Sequence, residues 1–286
     1  MNKINLKGVK VKNFTQLLKR SSSLDNLIFI NLNGSQFEST AYNRNKSALK
    51  SVLADLENMC EEFSNPIDSV VKIQFANASK LITTLSLVGD ETLDLVFDIE
   101  DNNYAKKLTV KTNEMNVTVS CADKEAVDFL EIPENARYSI FEDTSKLQCT
   151  VGIQENEFKK MKGLFGLNKD SVRVFFNLVG GNEMVVSEIE STDENVRMVV
   201  NEIIQDNDYD KFRKFDKLYD KKLITSELTT NNGIEDYLAC FNKQWFDWID
   251  SDKYYTIEFH SNKIKFISFD DDNVKTYVVL TPVRFA

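Results

Sequence analysis

Proline occurs three times and glycine nine times in 286 residues, and no Ser/Gly-rich or Pro-rich run interrupts the chain. Such a sequence leaves little room for a disordered tail or a flexible linker, so nearly all of it is expected to be ordered. Histidine occurs once, at His260 in a strand-like stretch. It has no partners for a Ser-His-Asp triad, a Cys-His pair or a zinc site with histidine ligands, and it reads as structural. The four cysteines, Cys60, Cys121, Cys149 and Cys240, are far apart with no CxxC pair, which predicts reduced and mostly buried thiols. No apolar run approaches the length needed to cross a bilayer, and Met1 to Arg20 is charged without the apolar centre of a secretion signal. A cytoplasmic protein with no membrane contact is expected, and Asn33-Gly34-Ser35 then carries no meaning as a glycosylation site.

Motifs for chemistry are equally scarce. Gly163 and Gly166 lack the spacing and the Lys-Ser/Thr of a phosphate-binding loop. Ser47 and Lys50 form an isolated SxxK whose companion motifs are missing. Acidic runs at Asp98 to Asp101 and Asp270 to Asp272 read as exposed turns, since the glycine of a calcium loop is absent. No catalytic residue, metal or cofactor is expected, and the protein reads as non-enzymatic.

What the chain does have is regular patterning. Its length suffices for two domains of ordinary size. Val70 to Phe97 passes from strand to helix to strand almost without a loop. Ala78, Leu81, Ile82 and Leu85 fall at helical spacing, with Ser79, Lys80, Thr83 and Thr84 opposite them. After Gly89-Asp90 the period becomes two, with Leu93, Leu95, Phe97 and Ile99 on one side of a half-buried strand. Upstream, Asn2 to Lys10 predicts a strand, and Val11, Phe14, Leu17 and Leu18 predict a helix through Arg20 that turns Lys12, Lys19 and Arg20 outward. Leu27 to Leu32 and Gln36 to Tyr42 predict a hairpin about Asn33-Gly34. Strands follow at Leu49 to Leu56, Lys107 to Lys111 and Met115 to Cys121.

Ala122 to Ser139 sustains neither period, contains Pro133 and reads as a domain connector. It separates a first domain at 1–122, through a connector at 123–139, from a second domain at 140–286. In the second domain the pattern restarts with a strand at Leu147 to Ile153 and a helix at Glu155 to Phe165 that turns Lys159 and Lys160 outward. A hairpin follows at Val172 to Leu178 and Met184 to Ile189, with further strands at Asn195 to Ile204 and Lys221 to Leu228. Gln205 to Asp220 is a highly charged insertion. A second helix is expected at Leu238 to Ile249, burying Leu238, Phe241, Trp245 and Trp248 and exposing Lys243. Strands at Tyr254 to Phe259, Lys263 to Phe269 and Thr276 to Val283 close the chain. The repeat is one of architecture rather than of letters. The predicted class is α+β, with antiparallel sheets and two helices in each of two similar domains.

The balance of 35 basic against 45 acidic residues gives a net charge of -10. Net charge governs solubility and steering, whereas phosphate contact needs only a local concentration of cations. All four expected helices carry such cations away from the sheet, although any one of them alone reads as a solvated helix face.

Three stretches resemble DNA sliding clamps, the rings that keep replicative polymerases on their template. Phe75 and the run SKLITTLSLVGDETLDL are similar to the second helix and following strand of clamps from T-even-type phages. Leu130-Glu131-Ile132-Pro133-Glu134 resembles the interdomain loop of proliferating cell nuclear antigen (PCNA), and Tyr277 to Val283 resembles the last strand of that family. The chain departs from the family in its length and in its charged insertion. The resemblance implies sheets outside, helices inside, and a homotrimeric ring around sequence-independent double-stranded DNA, with a DNA polymerase and a clamp loader as partners. It implies that Lys12, Lys19, Arg20, Lys80, Lys159, Lys160 and Lys243 face DNA. It places a partner-peptide pocket at Phe129, Leu130, Ile132, Pro133, Pro282 and Val283. It also pairs the edge strand bearing Met115, Val117, Val119 and Cys121 with the neighbour's strand bearing Leu223, Thr225 and Leu228. The alternative is a structural or interaction protein of β-rich domains, serving a phage or another replicating element, that never closes around DNA.

Overall fold

The computed structural model describes residues 2–22, 26–42, 47–87, 92–112, 114–153, 155, 158–159, 162–163, 173–179, 183–189, 197–200, 236–250, 253–269 and 274–281. The chain divides into two compact units, Met1–Pro133 with Asp270–Thr276, and Glu134–Phe269 with Tyr277–Ala286.

Unit 1 begins with β1 (Asn2–Lys10), which runs directly into α1 (Val11–Ser21). In α1, Val11, Phe14, Leu17 and Leu18 are buried, as their spacing requires, while Lys19 and Arg20 occupy the last turn, where the helix dipole favours cations. The hairpin of β2 (Ile28–Asn33) and β3 (Gln36–Tyr42) forms as expected, but its turn is shifted by one residue. Asn33 pairs with Gln36, so Gly34 and Ser35 are the two central residues. Gly34 takes φ of 59° at the first of them, a position that glycine occupies without strain. Next come β4 (Ala48–Asp55), β5 (Glu62–Ser64), β6 (Val71–Phe75), α2 (Ala78–Ser86), β7 (Thr92–Ile99), β8 (Ala105–Lys111) and β9 (Asn116–Ser120).

Two antiparallel layers result. One has the order β5, β1, β7, β8, β9, and in the other β4, β3, β2 and β6 lie side by side. β1 bulges between Leu6 and Val9, where Gly8 takes φ of 63° and a Cβ would meet the Glu61 side chain at 2.6 Å. Ile4, Leu6, Leu95 and Phe97 from the first layer, Ile30, Phe37, Ile73 and Phe75 from the second, and Phe14, Leu18, Leu81 and Leu85 from the helices form one core. Burying each such side chain is worth about 1.5–3 kcal/mol, which is what holds the short helices on the sheets.

The connector is more structured than its lack of period implies. It makes single helical turns at Lys124–Val127, Asp128–Leu130 and Glu134–Arg137, and a π-helical turn at Tyr138–Glu142. Four-residue turns are too short for a periodic signal, and tertiary contacts stabilise them.

In unit 2, β10 (Leu147–Ile153) is followed by β11 (Arg173–Val179), β12 (Glu183–Ile189), β13 (Arg197–Val200), β14 (Asp236–Asn242), β15 (Tyr255–His260), β16 (Lys263–Phe269) and β17 (Lys275–Leu280), the last beginning in residues assigned to unit 1. The strand orders are β10, β15, β16, β17 and β13, β12, β11, β14. Glu155, Phe158, Lys159, Lys162 and Gly163 are helical, in keeping with the expected helix. The helix expected at Leu238 to Ile249 is not there. Asp236 to Asn242 pair residue for residue with β11, and only Lys243–Trp248 coil, as a short 3-10 helix. The apolar run Tyr237 to Phe241 fits either a buried strand or a helix, and the open edge of β11 decides between them. Trp245 and Trp248 are nevertheless buried, at 6% and 5% exposure. The core here is aromatic: Phe158 lies 4.6 Å from Tyr255 and 6.3 Å from Phe266, ring centre to ring centre.

Candidate nucleic-acid interface and partner surface

Helices α1 and α2 pack side by side in unit 1. Their buried stripes leave Lys12, Lys19 and Lys80 exposed and Arg20 half-exposed. The start of α2 is closed by two asparagines. Asn26, itself at φ 62°, accepts from the Ala78 amide through its carbonyl and from the Ser79 amide through its side chain, both at 2.8 Å. Asn77 Oδ1 accepts from the Lys80 amide at 2.8 Å. The first three amides of α2 are thus consumed internally. A phosphate approaching this surface meets the Lys80 ammonium rather than a bare helix terminus. The Thr84 and Ser86 hydroxyls donate back to the carbonyls of Lys80 and Ile82, so the ammonium is the main long-reaching donor on this helix.

In unit 2, Lys159 is exposed beside the buried Phe158. Lys162 on the same helix is half-buried, and its Nζ donates to the Ile249 carbonyl. Lys243 opens the 3-10 helix. Lys160 and the side chain of Lys243 lie outside the described residues.

β9 lies at the end of its sheet, and among the described strands only β8 pairs with it. Met115 is 45% exposed, while Val117 and Val119 are partly buried. Cys121 donates its amide to the Lys106 carbonyl, and burial pushes its thiol up to about 12, which makes it unreactive at neutral pH. Leu223, Thr225 and Leu228 lie outside the described residues.

The first part of the connector covers the second layer of unit 1. Val127 and Leu130 bury against Phe29, Thr40 donates from Oγ1 to the Leu130 carbonyl at 2.8 Å, and the Ala122 amide donates to the Gln74 carbonyl. Leu130 and Ile132 are 1% and 6% exposed, so they fasten the connector. Phe129, at 43%, and Pro133 are exposed, Phe129 standing edge-on to Tyr42 with ring centres 6.5 Å apart. Pro282 and Val283 lie outside the described residues.

Sequence reasoning did not find the polar fastening beside these residues. Lys72 Nζ lies 2.7 Å from Glu131 Oε2, and the Tyr104 ring has Lys72 at 5.5 Å and Lys124 at 5.6 Å from its centre. Burial lowers the Lys72 ammonium, but hydrogen bonds to Glu131 and Tyr104 outweigh it and hold the group above its ordinary value. Residues 59 positions apart leave no local signal of such a pair.

Among the described residues no cluster of His, Cys, Asp or Glu is arranged to hold a metal ion, and no helix is long and apolar enough to cross a membrane.

These elements make the fold that of a DNA sliding clamp. Among solved structures, PCNA from Thermococcus kodakaraensis is similar at a TM-score of 0.64 and 12% identity, over 98% of this chain and 100% of that one. The structure of the C-terminal region of FEN-1 bound to A. fulgidus PCNA is similar at a TM-score of 0.64 and 15% identity, over 100% of both chains. No family model and no curated protein matches the sequence.

Proposed function

We propose that this chain is a non-enzymatic subunit of a sliding clamp: a homotrimer that encircles double-stranded DNA without reading its sequence and tethers a replicative DNA polymerase. The clamp is viral, that of a phage, and acts in the host-cell cytoplasm, where a clamp loader places it on DNA. The observation that carries this reading is the full-length likeness to two PCNA clamps. Two domains per chain call for three chains in a six-domain ring. The seam is edge-strand pairing of Met115, Val117, Val119 and Cys121 with Leu223, Thr225 and Leu228 of the neighbour, because an unpaired strand edge invites association.

Lys12, Lys19, Arg20, Lys80, Lys159, Lys160 and Lys243 face the duplex and touch phosphates loosely. Such contacts are sequence-independent and salt-sensitive, and closure provides the retention that attraction does not. The partner pocket is the one the resemblance implies at Phe129, Leu130, Ile132, Pro133, Pro282 and Val283, of which Phe129 and Pro133 are exposed while Leu130 and Ile132 are buried. The A. fulgidus PCNA carries the C-terminal region of FEN-1, and a short peptide anchor of that kind fits an exposed aromatic beside a proline.

The test is retention by topology. Loaded protein is expected to stay on a closed circular duplex and to leave once the circle is linearised, with a solution mass of three chains. Lys12→Glu with Lys80→Glu should impair loading without changing the melting temperature much, because both lysines are exposed. Equal retention on circles and linear DNA, with a monomeric mass, favours the structural or interaction protein instead.

A further inference from the structure

The connector changes its winding before it ends. Glu134–Arg137 makes one α-helical turn and passes directly into the π-helical turn Tyr138–Glu142. Winding of that kind, with bonds from i to i+5, is rare and occurs mostly as single turns. Tyr138, Ser139, Ile140 and Phe141 are middling helix formers, so the local sequence has no strong preference to impose. A turn this short does not stand without contacts from outside it.

The backbone carbonyls show where those contacts come from. In a continued α-helix Ser139, Ile140 and Phe141 would accept from the amides four residues on. The amide that would serve Phe141, that of Ser145, is instead bound by Asp143 Oδ1 at 2.9 Å. All three carbonyls turn to β16. Lys263 Nζ donates to Ser139 at 2.7 Å and to Ile140 at 2.9 Å, and Lys265 Nζ donates to Phe141 at 2.8 Å. Carbonyls at the end of a helical turn lack partners within it and carry partial negative charge, so two ammonium groups cap them well.

The donors are held firmly. The register of β15 and β16 sets Glu258 opposite Lys265, and Lys263 and Lys265, two apart on their strand, share a face. Lys265 is 0% exposed and Lys263 8%, and charged groups are buried this deeply only when partnered. Lys265 Nζ also bonds Glu258 Oε2, which lies 3.0 Å from His260 Nε2. Lys263 forms no salt bridge among the described residues, and its Nζ is spent on the two carbonyls. Phe141 is itself buried, with its ring centre 5.4 Å from that of Tyr277, so its side chain and its carbonyl are both fixed.

We propose that Lys263 and Lys265 are a template for the end of the connector: by taking three consecutive carbonyls they impose the π-helical turn, and Glu258 holds Lys265 in place to do so. The inference does not rest on the clamp reading. It assigns the winding of this segment to side chains more than a hundred residues away rather than to its own sequence.

Hydrogen exchange at one fixed pH on the full chain tests it. In Lys263→Met the amides of residues 139–144 should exchange faster by about tenfold or more, because charge-assisted hydrogen bonds to two carbonyls are lost. The backbone carbon shifts of Tyr138–Glu142 should move with them. Amides of β15 and β16 should keep their wild-type rates, since this substitution leaves no buried carboxylate unpaired. Lys263→Gln, whose side chain is shorter, should show the same local loss and takes its place if Lys263→Met does not fold. In the wild-type chain the ammonium protons of Lys263 and Lys265 should give through-space contacts to Ser139, Ile140 and Phe141. Unchanged exchange and shifts in the turn, an acceleration shared equally by β15 and β16, or absence of the wild-type contacts overturns the proposal.

Discussion

The two ends of the connector are held to their respective units by opposite chemistry. Near Val127 to Ile132 the fastening is mainly apolar, with Val127 and Leu130 buried against Phe29, a neutral hydrogen bond from Thr40 to the Leu130 carbonyl, and a half-exposed ion pair, Lys72 with Glu131, beside them. At Ser139 to Phe141 it is ionic and buried, with two lysines on three carbonyls and one carboxylate serving both Lys265 and His260. An apolar anchor depends on area removed from water and is indifferent to pH and salt. A buried ionic anchor holds only while each member has its partner, because an uncompensated buried charge costs more than the pair gained. One segment can therefore be fixed permanently at one end and conditionally at the other.

The contrast is sharpest for Lys265→Met, which leaves Glu258 without its buried cation. Urea unfolding at neutral pH should show a loss of about 3–5 kcal/mol, and adding Glu258→Met should restore much of it. A double variant no more stable than the single one breaks the ionic account of that end. Leu130→Ala at the other end should cost about 2–5 kcal/mol. That cost should be the same at neutral and mildly acidic pH and in low and high salt, and a pH-dependent cost erases the distinction.

Acid titration separates the ends further. Burial pushes the Glu258 carboxyl up, but the hydrogen bond with His260 and the charge of Lys265 outweigh it, and the group lies below its ordinary value of 4.5. Its contribution to stability is therefore fully present above pH 4.5 and is lost as pH falls through the lower folded value. Glu258→Gln should be less stable at neutral pH and should flatten that acid slope, as read from urea midpoints across the window.

Smaller effects belong to the exposed side of the connector. A double-mutant cycle on Lys72→Met and Glu131→Gln should return a coupling of only about 0.2–1 kcal/mol, and it should fade in about 1 M salt, where the screening length is roughly 3 Å. Phe129→Ala should change stability by no more than about 0.5 kcal/mol. In the proposed clamp it should nonetheless weaken polymerase stimulation, and unaltered stimulation would move the partner site away from the connector.

Most of unit 1 was legible because each element carries its own period. Val11, Phe14, Leu17 and Leu18 can share a face only in a helix, and Leu93, Leu95, Phe97 and Ile99 only in a strand. The exposed positions of Lys12, Lys19 and Lys80 follow from the same arithmetic. Leu238 to Ile249 misled because Leu238, Phe241, Trp245 and Trp248 match helical spacing while Tyr237 to Phe241 also make an apolar run, and a ladder with β11 outweighs a weak local preference.

In unit 1 the sequence by itself determined the alternation of strands and helices and which residues of α1, α2 and β7 are buried together, since these depend on residue spacing alone. Only the tertiary structure decided which connector residues are buried and which are exposed. It alone brought Lys72 to Glu131, and set the lysines of β16 on the carbonyls of a turn more than a hundred residues away. Such contacts join groups whose positions along the chain are unrelated, and their strength comes from removal of water by the finished core, which no local pattern encodes.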